Sequence, residues 1–159
     1  MVAYIEAHGL HNRVTYVGTT DNIPEYLAMA DAFVSATFFE GGPLTLLEAI
    51  KADIPVAMSS VGCASHFAKH AGIELVDPVY DMTRFTGSVT EMRSSAQFEQ
   101  RLADAMLRVL NNGARPQLSG AELGALDKER TYQSYVNLVQ RLIGDQTLQV
   151  TESLAVKLG

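Results

Sequence analysis

Short apolar, β-branched segments alternate with helix-like segments from Arg13 to Val76, and the connections between them are brief. Arg13-Val14-Thr15-Tyr16-Val17 reads as a strand closed by Gly18. Asp21-Asn22-Ile23-Pro24 opens a helix that runs to about Ala30, with Pro24 in its first turn. Asp31 to Ser35 is a second strand, followed by a loop at 36–42 and a helix from about Pro43 to Ala52. Ile54-Pro55-Val56-Ala57-Met58 is apolar at every position, as a parallel strand covered on both faces should be. A short helix near 63–70 and a strand at Ile73–Val76 complete the series. Ahead of it, residues 2–10 read as the end of a helix that Gly9 stops.

Strands that alternate with helices over short connections lie parallel, with right-handed crossovers and helices on both faces. The expectation is an α/β fold: a doubly wound parallel sheet in three layers, α/β/α, followed by helices in the C-terminal part of the chain. In such sheets ligands bind beyond the carboxyl ends of the strands. The 36–42 loop occupies such an end. The second half changes character. Phe98, Leu102, Ala105, Met106, Val109 and Leu110 recur at helical spacing, as do Tyr132, Tyr135, Val136, Val139 and Leu142. Residues 80–96 read as a loop with at most one helical turn, and 114–124 are punctuated by glycine and proline. One domain is expected over 1–144, with 145–159 as a mobile tail.

Charge narrows the partners. Twelve basic against eighteen acidic side chains give a net charge of −6, with no basic run, so nucleic acid is not an expected partner. The lone cysteine, Cys63, allows no intrachain disulfide. No stretch approaches the ~20 apolar residues that span a bilayer, and the N-terminus lacks the features of a signal peptide. A cytoplasmic protein is expected, with membrane association peripheral at most.

The most informative stretch is Glu40-Gly41-Gly42-Pro43-Leu44-Thr45-Leu46-Leu47-Glu48, which runs from a strand end into a helix. A helix N-terminus leaves backbone N–H groups unpaired and partially positive, so it can receive a diphosphate without a lysine. Gly41 and Gly42 permit close ligand approach and unusual φ angles. Pro43 offers no N–H, but its φ suits a first helical turn. The amides of Leu44 and Thr45 stay available, and the Thr45 hydroxyl adds a donor. Glu48, about a turn deeper, can accept from ribose hydroxyls, and Glu40 from hydroxyls of a sugar beyond the phosphates. Spacing alone favours a simple Gly-Gly-Pro helix start bearing solvated glutamates.

The stretch Val14–Gly62 resembles the nucleotide-binding half of retaining glycosyltransferases of the two-domain (GT-B), glycogen-synthase-like, group 1 family. The resemblance rests on Val14–Gly18, on Ala30-Asp31-Ala32-Phe33-Val34 and on Thr37-Phe38-Phe39-Glu40 with the residues through Ala49. Pro55-Val56-Ala57 and Ser59-Ser60-Val61-Gly62 follow in register. Glu40 and Glu48 fit the family's Glu-x7-Glu signature. The resemblance implies a Rossmann-like fold that binds a nucleoside diphosphate sugar and transfers its hexosyl group to a hydroxyl acceptor with retention. It implies Glu40 as the catalytic contact to the donor sugar and Glu48 as the ribose contact. Gly41, Gly42, Pro43, Leu44 and Thr45 would hold the sugar and diphosphate. No metal or other cofactor is expected, and no Asp-x-Asp occurs that would hold one.

Against that family the chain departs in three ways. The acceptor-binding domain and the first strand of the donor domain have no counterpart, so an acceptor-binding domain or subunit is an expected partner and the chain alone is expected to be inactive. An open strand edge would also favour self-association, giving a possible homo-oligomer. The family's Arg/Lys pair for the donor phosphates is absent, and neither Lys51 nor Arg13 stands in its place. Asp53 replaces a glycine at the helix end, where aspartate tolerates a left-handed backbone, and Lys51 takes a position that is usually small. The alternatives are a non-catalytic nucleotide-sugar-binding or regulatory subunit, and an unrelated flavodoxin-like domain.

Other reactive side chains read as ordinary. His66 and His70 have metal spacing but no third ligand, and a solvated helix face explains them. Cys63 reads as a buried or inert thiol. His8 and His11 look like turn residues, and the methionines like core filler. No Gly-x-Ser-x-Gly elbow, Gly-x-Gly-x-x-Gly or Walker loop occurs, which disfavours hydrolase, nicotinamide and ATPase chemistry.

Overall fold

The computed structural model describes residues 1–81 and 93–143, and divides the chain into two compact units, Met1–Gln117 and Leu118–Gly159. The proposed tail at 145–159 lies outside the described residues.

The first unit holds α1 (Val2–Ala7), α2 (Ile23–Met29), β1 (Phe33–Ser35), α3 (Leu44–Lys51) and β2 (Val56–Ser59). A 3-10 turn at Gly62–Phe67, β3 (Ile73–Val76), β4 (Tyr80–Asp81), β5 (Arg93–Ser94) and α4 (Ala96–Asn112) follow. The sheet runs β1-β2-β3, all parallel, with Phe33 opposite Val56 and Val56 opposite Ile73. Flanked by helices, it is a Rossmann-like α/β fold.

β2 is the centre of the unit. All four of its residues are buried, because both of its faces are covered and both of its edges are paired. Successive side chains point to opposite faces. Ala57 meets the stripe Phe98, Leu102, Ala105 and Val109 of α4 together with Val76 of β3. Val56 and Met58 turn to the other face. α3 packs against β2 and buries Leu46, Ala49 and Ile50. The α4 stripe follows the helical repeat of three and four residues. Ser95 caps that helix by accepting from the Phe98 amide at 3.1 Å.

Three expectations need correction. Residues 13–17 form no strand: the Arg13 and Val14 amides turn back to Leu10 O, both at 2.9 Å, and Val14, Tyr16 and Val17 are exposed. β-branched residues make a strand only where a ladder partner exists. β1 is an edge strand, and no described strand pairs with its outer edge. The helix near 63–70 is instead the shorter 3-10 turn. The stretch 80–96 is not all loop, because Tyr80–Asp81 and Arg93–Ser94 pair antiparallel; residues 82–92 lie outside the described residues. Within 114–124, Ser119 and Glu122 form a capping box that starts α5 (Gly120–Ala125).

In the second unit α5 is followed by α6 (Lys128–Ile143). The expected amphipathic helix is present, with Tyr132, Tyr135, Leu138, Val139 and Leu142 exposed.

Candidate functional site

The site grows from the carboxyl end of β1. After Ser35, the chain is steadied by side chains that satisfy its polar groups. Ser35 Oγ and Thr37 Oγ1 lie 3.0 Å apart, and the buried Ser59 donates to Ser35 O at 3.4 Å. Phe38 then turns inward. Its ring meets Phe98 of α4 edge-on at 6.0 Å and Tyr80 at 5.1 Å, and Tyr80 Oη donates to Phe38 O at 3.2 Å. Phe39 is 58% exposed, with its ring nearly parallel to Tyr80 (7°) at 6.0 Å. Glu40 follows, exposed.

Pro43 is buried and serves as the N-cap of α3, one position earlier than a first-turn residue. Its carbonyl accepts from the Leu46 amide at 3.1 Å. Among the described residues no backbone acceptor meets the Leu44 or Thr45 amide. The opening of α3 therefore keeps two donors at its positive end.

Neither Gly41 nor Gly42 has the unusual φ expected of it. What they provide is room. A Cβ on Gly41 would meet nothing within 4 Å, and one on Gly42 only Cys63 Sγ at 3.9 Å. The strained glycine is Gly62, at φ +54, where a Cβ would stand 2.5 Å from both Glu40 O and Gly41 O. The turn after β2 is thus pressed directly onto the peptide of the motif, and only glycine permits that approach.

Glu40 and Gly41 border a cavity of about 540 Å³ together with Phe38, Phe39, Ser60, Gly62 and Tyr80. Glu48 and Thr45 border a different hollow, of about 290 Å³, beside Tyr26, Phe33 and Val34. The two carboxylates of the motif lie on separate cavities because Glu48 stands more than a turn into α3. Among the described residues no lysine or arginine lines either hollow. Lys51 is exposed at the far end of α3. Asp53, just past that end, has φ 56, the left-handed conformation expected of it. His70 Nδ1 is 2.9 Å from Gln117 O. Among the described residues no three His, Cys, Asp or Glu side chains gather as a metal site, and no helix is long and apolar enough to cross a membrane.

Sequence reasoning missed two contributors, the left-handed Gly62 and the aromatic wall of Phe39 and Tyr80. Gly62 left a faint signal, a glycine after Ser59-Ser60-Val61 just beyond a buried strand. Tyr80 left none, since it is forty positions from Glu40.

A Rossmann-like parallel sheet with a glycine-bearing helix start at its carboxyl end defines the class of protein. Its family is defined by sequence: the family model for glycosyl transferases group 1 matches residues 1–117 of the 159. The chain belongs to that family. It is also 40% identical over 57 residues to the lipopolysaccharide core biosynthesis mannosyltransferase LpsB of Rhizobium meliloti (strain 1021), a match covering 36% of this chain and 16% of that protein. The chain therefore spans only a small part of the length of that relative.

Proposed function

We propose that the chain is the donor-binding domain of a retaining hexosyltransferase that uses a nucleoside diphosphate sugar and needs no metal. The observation that carries this reading is the opening of α3: free amides at Leu44 and Thr45, with Glu40 on a cavity to one side and Glu48 on a hollow to the other. A diphosphate at those amides gains hydrogen bonds and the favourable end of the helix dipole. Glu48 then accepts from the ribose, and Glu40 accepts from the transferred sugar. As the glycosyl bond breaks, negative charge grows on the leaving diphosphate. Oriented donors at the helix start stabilise that charge without reorganising. Membership of the glycosyltransferase family and the likeness to a mannosyltransferase of lipopolysaccharide core biosynthesis support a role in building a polysaccharide or glycolipid.

An acceptor-binding domain or subunit completes the enzyme in this reading, so the 159-residue chain alone binds donor without turning it over. Calorimetric titration with UDP, GDP and ADP, each with and without a hexose, tests it. Binding of one nucleotide class, unaffected by EDTA, is expected. Absence of binding at millimolar ligand would refute the reading.

A further inference from the structure

We propose that Phe39 and Tyr80 form an aromatic platform that holds the hexopyranose ring of the donor, an assignment that rests on the donor-site reading above. Phe39 is a large apolar side chain left 58% exposed at the border of the 540 Å³ cavity, although its neighbour in sequence, Phe38, packs on the Phe98 core. Its ring is nearly parallel to that of Tyr80, and the cavity is bordered by both.

The platform is built into the fold. Tyr80 is held by its hydrogen bond to Phe38 O and by the edge of the Phe38 ring. Phe38 in turn rests on Phe98, which is buried in the α4 core. A ring positioned this way loses little freedom when it meets a ligand, which favours binding.

The chemistry of the cavity matches one kind of guest. An aromatic face is electron-rich and attracts the polarised C–H bonds on one side of a pyranose. The hydroxyls at the ring's rim need acceptors and donors, which Glu40 and Ser60 supply at the same cavity. Apolar walls with a few placed polar groups are the usual form of a small-molecule site. A nucleobase would also stack on such rings. It is disfavoured here because Glu48, the ribose acceptor in this reading, borders the other hollow, whereas the platform shares its cavity with Glu40.

The test uses the whole chain and three variants, Phe39→Ala, Phe39→Trp and Tyr80→Leu. Each is titrated by calorimetry with UDP-glucose, GDP-mannose and ADP-glucose, and with UDP, GDP and ADP. For the nucleotide that the wild type binds, Phe39→Ala and Tyr80→Leu should weaken the sugar nucleotide about tenfold, in line with the worth of an aromatic contact. The bare nucleotide should change less than about twofold, and Phe39→Trp should keep the preference for the sugar form. Because the Phe39 ring is exposed, its removal leaves the core intact, and a thermal melt of Phe39→Ala should match wild type. Equal losses for sugar nucleotide and bare nucleotide, or no loss for either, would overturn the platform while leaving the donor site standing. A wild type that binds none of the six ligands would overturn both.

Discussion

Gly62→Ala should damage this protein far more than an added methyl group ordinarily does. Two costs combine. Alanine in the left-handed region at φ +54 is strained by about 1–2 kcal/mol. The new Cβ would also lie 2.5 Å from Glu40 O and Gly41 O and 2.9 Å from Gly41 C, all backbone atoms that no rotamer change can move. A carbon meets a carbonyl oxygen comfortably at roughly 3.3 Å or more, so the motif peptide must retreat by most of an ångström. Overpacking of this kind costs about 1–3 kcal/mol. The stiffer unfolded chain gives back less than about 1 kcal/mol. A net loss of about 2–4 kcal/mol is a large part of a typical domain's stability, and corresponds to a melting point lower by roughly 5–20 °C. Thermal and urea unfolding followed by circular dichroism would measure it. Gly41→Ala is the internal control, because its Cβ meets nothing within 4 Å and its φ is not positive. That variant should unfold within about 0.5 kcal/mol of wild type, yet bind nucleotide sugar more weakly because the methyl occupies the ligand's space. If Gly62→Ala proved as stable as Gly41→Ala, the close approach of the post-β2 turn to the motif would be wrong.

Other variants separate the remaining claims. Glu48→Ala should weaken nucleotide binding by ~1–3 kcal/mol through lost ribose hydrogen bonds, and unchanged calorimetric affinity would contradict that role. Glu40→Ala should spare bare nucleotide and weaken only the sugar form, so parallel losses for both would show a different role. Asp53→Gly should raise stability by about 0.5–1 kcal/mol in urea unfolding, since glycine removes the left-handed strain at φ 56 but adds chain entropy. In the second unit, Ser119→Ala removes the Oγ half of the capping box, leaving the Ser119 amide to donate to Glu122, and should destabilise α5 by about 1 kcal/mol, read as faster amide exchange at Glu122.

The sequence by itself carried whatever depends on local periodicity. The run Ile54–Met58 announced a strand covered on both faces, and β2 is buried throughout. The stripe from Phe98 to Val109 announced the helix that covers one of those faces. The resemblance, which puts a glycine at position 53, pointed to the left-handed backbone that Asp53 adopts. The start of α3 and its exposed amides were likewise legible, because a Gly-Gly-Pro run before an apolar segment makes its signal within a few residues.

Tertiary structure alone decided what depends on a partner distant in sequence. Arg13–Val17 has the composition of a strand, but a strand is a relation between two segments, and the Arg13 and Val14 amides turn back to Leu10 O instead of joining a ladder. Tyr80 joins Phe39 at the cavity only because β3 carries the chain back beside the end of β1 by way of β2. Gly62 is required because Glu40 and Gly41, two strand-ends away, press against it. Glu40 and Glu48 read as one bracket along the chain, yet the helix that begins between them assigns each to its own cavity. Local backbone preference is written in consecutive residues. Packing and cavity walls belong to residues that only folding brings within a few ångströms of each other.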